Sequence, residues 1–186
     1  RFLLTSRHTL SDFPYVHIFA VPQLSPSAAR ALVESELARR GFRSAVPPAA
    51  IERLYTLIGG LPLALKLVAA QVGCFALEEI ITDLQRAQRR TQDALYTFIY
   101  RRTWRALTDS ACHLLLALLP LDPDGEDWAF IQTMSGLTEA DFAPALAQLM
   151  DYSLLEVTDP LGSPRYSLHR LTATFLQTNV LYQWTT

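Results

Sequence analysis

The spacing of apolar residues changes character along the chain. Phe2-Leu3-Leu4-Thr5 and Tyr15–Val21 are short apolar or β-branched runs that predict strands. Two such strands are too few and too short to make a sheet alone, so they read as the end of a sheet whose other strands lie upstream of Arg1. From Ser25 the period becomes helical. Ser25-Pro26 predicts a capped start, Ala29, Leu32, Val33 and Leu37 share one face, and Gly41 can end the helix. Pro47-Pro48 opens a second helix with Ile51, Leu54, Tyr55 and Ile58 inward, closed by Gly59-Gly60. A third helix starts at Pro62 and is apolar nearly all round, which predicts burial. A fourth carries Leu77, Ile80, Ile81 and Leu84. The Arg-rich stretch Arg86–Arg105 reads as a linker that becomes a helix bearing Leu95, Phe98, Ile99 and Trp104.

A second group of elements begins near Ala106. Thr108 or Asp109 can cap a helix running to Leu119, ended by Pro120. Trp128, Ile131 and Met134 mark a short helix closed by Gly136. Thr138-Glu139-Ala140-Asp141 has a cap-and-acid start ahead of Phe142, Leu146 and Leu149. Leu154–Thr158 and Arg165–Leu168 read as strands around a turn at 159–164, and a last helix covers about Arg170–Val180. Three helices, a hairpin and a closing helix predict a winged-helix arrangement. The expected fold class is mainly α: a four-helix bundle, then a winged-helix domain, preceded by two strands.

The chain has 186 residues, half of them apolar and 18% charged, which affords a core and excludes disorder. Cys74 and Cys112 are too few for a disulfide framework or a Cys/His zinc cluster, and suit a reducing, cytoplasmic setting. The most apolar window, Leu61–Leu77, contains Lys66 and Gln71 and falls short of the ~20 residues a membrane helix needs. The net charge of −2 conceals an asymmetry: residues 1–105 carry 14 Lys/Arg against 8 Asp/Glu, whereas residues 106–186 carry 2 against 10. Arg86, Arg89, Arg90, Arg101, Arg102 and Arg105 read as a solvated face, or as partners for the acidic second half. His113 reads as a satisfied core histidine, and both cysteines as buried in helices and inert.

Motifs that would announce chemistry are missing. There is no Gly-x-x-x-x-Gly-Lys-Ser/Thr phosphate loop, no Gly-x-Gly-x-x-Gly, no Gly-x-Ser-x-Gly and no His-Glu-x-x-His, and Lys66 is out of context for a phosphate loop. The four histidines lack metal-ligand spacing. A winged helix raises the prospect of DNA binding, but its third helix would carry Glu139, Asp141 and Asp151 with no Lys or Arg. The hairpin adds Glu156 and Asp159 against Arg165. That sign opposes phosphate contact, so direct nucleic-acid binding is disfavoured.

Taken in order, Leu-Leu-Thr-Ser-Arg (3–7), Leu24-Ser25, Gly-Gly-Leu-Pro-Leu-Ala-Leu (59–65), Trp104-Arg-Ala-Leu107, Leu146-Ala-Gln-Leu149, Ser153-Leu-Leu155 and Leu168-His-Arg170 form a series. It resembles the C-terminal part of the nucleotide-binding module of STAND ATPases, the NB-ARC group of bacterial regulators, plant resistance proteins and apoptosome proteins. The resemblance spans nearly the whole chain. It implies three parts: the end of the nucleotide-binding α/β domain with its sensor strand (1–24), a helical lid (25–90) and a winged-helix domain (91–186). Arg7 matches the arginine that senses the γ-phosphate, Gly60, Leu61 and Pro62 the segment against the adenine, and His169 the histidine that donates to the β-phosphate of ADP. Leu168 and Arg170 depart from the family's Met-His-Asp.

The implied function is that of a signal-transduction ATPase acting as an ADP/ATP-dependent switch. The implied cofactor is ADP or ATP with Mg in the intact parent protein, none being expected tightly bound to this chain alone. The implied partners are an upstream P-loop domain, effector and sensor domains, and further copies on activation, with no membrane. No activity is expected from this chain alone, since the family's P-loop and Walker B acid are not in it. The other readings are a DNA-binding winged-helix regulator and a nucleotide-independent helical interaction module.

Overall fold

A computed structural model describes residues 17–42, 46–88, 92–159 and 161–181, with side chains in the fifth helix from Leu95 onward. The predicted strand at Phe2–Thr5 lies outside the described residues. The second predicted strand ends within them and is not found: His17–Val21 is irregular, with Phe19 83% and Val21 86% exposed. A β-branched and aromatic pattern suits a strand only where a neighbour supplies the ladder, and none lies beside this segment among the described residues.

The described chain is mainly helical. Helix α1 spans Pro26–Arg39, α2 Pro48–Ile58, α3 Pro62–Gln71 and α4 Leu77–Gln88. Each of the first three has proline in its first turn, where a missing N–H costs nothing. Ser25 caps α1 by accepting from the Ala28 N–H at 3.2 Å. Helix α3 is the centre of this group. Seven of its ten residues are buried, including Gln71, and it packs on α1 and α2. That all-round burial follows from an all-round apolar sequence.

Helix α5 (Gln92–Ala106) lies across α3 and α4. Two buried polar ties fix it there. Gln71 of α3 donates through Nε2 to the Ile99 carbonyl (3.2 Å) and to Thr103 Oγ1 (3.0 Å). Arg102, 7% exposed, donates to Asp83 and, at 2.8 Å, to Glu79 of α4, and stacks over the Phe75 ring at 4.1 Å. Arg102 therefore departs from the predicted solvated face: its partners are acids four residues apart on one face of α4.

Helices α6 (Asp109–Ala117), α7 (Trp128–Ser135) and α8 (Glu139–Asp151) follow, with α6 packed on both others. The caps at Thr108, Thr138 and Gly136 are those the sequence announces, and Asp127 adds one. Thr108 accepts from Ala111, Asp127 from Phe130 and Thr138 from Asp141, and Gly136 ends α7 at φ 65°. Strands β1 (Leu155–Thr158) and β2 (Arg165–Leu168) pair antiparallel, Leu155 opposite Leu168 and Thr158 opposite Arg165. On the far side of β2, Tyr166 exchanges both backbone hydrogen bonds with Glu126, at 2.8 and 3.0 Å. Helix α9 (Arg170–Phe175) runs into one π-helical turn, Leu176–Val180.

The buried side chains from Ala29 to Val180 form one cluster. Helix α5 joins its halves: Tyr100 stacks on Phe175 with centroids 5.2 Å apart, and its hydroxyl lies 3.3 Å from Thr172 Oγ1. Burial pushes the Tyr100 hydroxyl up from 10.0 to about 12, the Thr172 hydrogen bond acting the other way. The unfolded chain therefore loses this proton first as pH rises, so folding stability present below pH 10 is lost up to about pH 12. Urea unfolding across that range should show a fall to which Tyr100 contributes about 2 kcal/mol. Tyr100→Phe should flatten it, and an equally steep fall in the variant would place the titration elsewhere.

Candidate functional site

The glycine pair before α3 packs against the segment that enters α1. Gly59 takes φ 75°, a left-handed conformation that L side chains rarely adopt. Gly60 is buried, and a Cβ there would collide with the Leu24 carbonyl. The Leu24 N–H donates to the Gly60 carbonyl (2.9 Å), the Gly60 N–H to Gln23 Oε1 (3.2 Å), and the Tyr55 hydroxyl to the Leu24 carbonyl (3.2 Å). The close approach that requires glycine is thus made by the chain entering α1. Leu61 is half-buried against the core, and Pro62 is exposed at the first position of α3.

His169 stands at the N-cap of α9, between β2 and the helix. Its Nδ1 accepts from the Leu171 N–H at 3.1 Å. With Nδ1 an acceptor, the ring proton of the neutral form sits on Nε2. Nε2 points away from α9, 3.7 Å from Glu156 Oε1 on β1. The capping role and a role as donor are therefore compatible, because each uses a different nitrogen.

A cleft of about 280 Å³ opens beside His169. Glu36 and Arg39 line it from α1, Leu63 and Lys66 from α3, Met150 and Ser153 from the end of α8, Leu155–Val157 from β1, and His169 from the start of α9. Ser153 turns the chain out of α8 with φ 54°. Arg39 is held by Glu36 at 3.1 Å and by Asp151 at 3.3 Å, which ties α1 to α8. Beside it, Arg40 donates to the Ala70 carbonyl (3.4 Å) and lies over the Tyr152 ring, while Cys74 Sγ meets the Tyr152 hydroxyl at 2.8 Å. Burial lowers Arg40 and raises Tyr152 from their ordinary values.

Of the residues singled out in the sequence, the structure brings His169 to one wall of this cleft and helix α3 to another. Leu63, next after Pro62, is on that wall; Gly60, Leu61 and Pro62 themselves are not among the lining residues. Arg7 lies outside the described residues. Arg170 is exposed at the start of α9. Glu36 and Arg39 line the cleft without any sequence signal: each is an ordinary polar residue until the fold gathers them. Among the described residues no His/Cys/Asp/Glu group could hold a metal ion, and no helix is long and apolar enough to cross a membrane.

Two minor expectations change. His113 is not in the core; it is on the exposed side of α6, where Nε2 reaches the Ser135 carbonyl at 2.8 Å. Cys74 is exposed in the turn between α3 and α4, not in a buried helix. Cys112 is half-buried in α6, where burial and then Asp109 raise its thiol to about 11, so it stays protonated at neutral pH.

No family model matches the chain, and no curated protein matches it.

Gly60→Ala gives a direct check on the turn. The added methyl meets backbone rather than a flexible side chain, so the variant should lose about 1–3 kcal/mol of stability in urea unfolding. A variant as stable as the parent would show that Leu24 and Gly60 are not in contact.

Proposed function

We propose that the chain is the lid and winged-helix portion of a STAND-type signal-transduction ATPase, a module whose two parts close over ADP and rearrange when ATP replaces it. In this reading α1–α4 are the lid, and α6–α9 with the hairpin are the winged helix, Glu126 acting as the short third strand. The observation that carries the reading is the cleft. It sets His169, the residue that matches the family's nucleotide-contacting histidine, across from α3, the helix that the Gly-Gly-Leu-Pro segment starts. With Nδ1 occupied by the Leu171 N–H, Nε2 is the nitrogen left for donation to a phosphate oxygen.

Transcription-factor-like DNA binding has less in its favour. Glu139 and Asp141 are exposed on α8, Asp151 is paired with Arg39, and Arg165 is tied to Glu126 and the Gly125 carbonyl. Contact with a phosphate backbone needs cations free to neutralise it. A nucleotide-independent interaction module would need neither the cleft nor the orientation of His169.

The test is His169→Ala in a polypeptide that also carries the P-loop domain expected upstream. A hydrogen bond to a charged acceptor is worth about 1.5–3 kcal/mol, so ADP should leave roughly 10–150-fold faster and the open state should gain by the same factor. An unchanged dissociation rate with a lowered melting temperature would reduce His169 to its capping role and overturn the reading.

A further inference from the structure

The charges in the cleft are largely matched already. Arg39 is shared between Glu36 and Asp151. His169 Nε2 faces Glu156 at 3.7 Å. Lys66, on the α3 wall, has no ion-pair partner among the described residues. The groups that face His169 in the cleft are thus Glu36 and Arg39 from α1, Lys66 from α3 and Glu156 from β1.

We propose that Glu156 is a built-in competitor for the ligand of this cleft: its carboxylate stands 3.7 Å from His169 Nε2, and a phosphate-type anion binds by displacing it, with Lys66 as the receiving cation. The proposal rests on the nucleotide-switch reading and concerns how that site is regulated. Three features support it. The ring of His169 cannot flip without giving up the Leu171 N–H, so Nε2 stays on the Glu156 side. Glu156 is on a strand whose register with Ser167 fixes its backbone, while its side chain is 56% exposed and free to swing into solvent. A polyanion at Nε2 would lie a few ångströms from that carboxylate, and like charges at such separation oppose one another. Binding therefore turns Glu156 out, and the hairpin feels the occupancy of the cleft.

The experiment is a titration of the 186-residue chain with inorganic pyrophosphate, and separately with ADP, by calorimetry and by the histidine ring resonances in ¹H–¹⁵N NMR. The proteins are the parent, Glu156→Gln and Lys66→Gln. Removing one charge from a half-exposed site should make Glu156→Gln bind pyrophosphate about 5–20-fold more tightly, and Lys66→Gln about as much more weakly, with the His169 Nε2 signal moving in the parent. If pyrophosphate binds but Glu156→Gln is no tighter than the parent, Glu156 is not the competitor and the proposal falls while the cleft stands. Lys66→Gln binding as well as the parent removes Lys66 from the site. If pyrophosphate at millimolar concentration moves no His169 signal in any of the three, the cleft takes no anion and the proposal falls, while the nucleotide reading is judged by His169→Ala in the polypeptide that carries the P-loop domain. ADP binding more tightly than pyrophosphate supports the nucleotide reading, and the competition is judged on pyrophosphate.

Discussion

A single buried cation sets the arrangement on which the rest depends. Arg102 is 7% exposed, and a guanidinium that deep is tolerable only with its charge answered. Asp83 and Glu79 answer it from one face of α4, and the Phe75 ring covers it from the turn between α3 and α4. Together with the Gln71–Thr103–Ile99 hydrogen bonds, this leaves α5 one way to lie on α3 and α4. Apolar contact alone would allow helices to slide against each other, whereas buried polar groups lose their partners with any slip. Helix α5 in turn presents Tyr100 to Phe175 and Thr172, which places α9 and hence His169.

Local structure was largely legible in the sequence, because it is decided locally. Ser25, Thr108 and Thr138 each accept the hydrogen bond that their position before a helix announces, and β2 spans the residues its alternation marks. The failures share a physical cause. Tyr15–Val21 has a strand's composition, yet strand formation needs a neighbour that composition cannot supply. Arg102 is one of six arginines in the stretch from Arg86 to Arg105, and only the helix phase relative to α4 distinguishes it from those in solvent. His113 has apolar neighbours in sequence but points outward from α6. The same holds for the cleft. His169 could be singled out through its setting between a strand and a helix, but Glu36, Arg39 and Glu156 come from α1 and β1, far apart in sequence, and become a site only through tertiary packing.

The asymmetry of charge acquires a different meaning in three dimensions. Among the described residues, four exposed arginines of the first half are paired with acids: Arg30 with Glu52, Arg53 with Glu78, Arg86 with Asp83 and Arg39 with Asp151. Exposed pairs of this kind contribute little to stability. Lys66, on the cleft wall, has no such pair among the described residues.

The hydrogen bonds between Leu24 and Gly60 make the segment before α1 a lever as well as a connection. Gln23 and Leu24 are clamped to the turn that starts α3, while the residues just before them, from His17 to Val21, are irregular and exposed. Whatever displaces the chain upstream of residue 23 is thus delivered to the first turn of α3, and Leu63 and Lys66 on the cleft wall follow within that turn and the next. Force applied at one end of the molecule and charge applied in the cleft act on the same short helix, so a tug and an anion can each be read as the strength of the other.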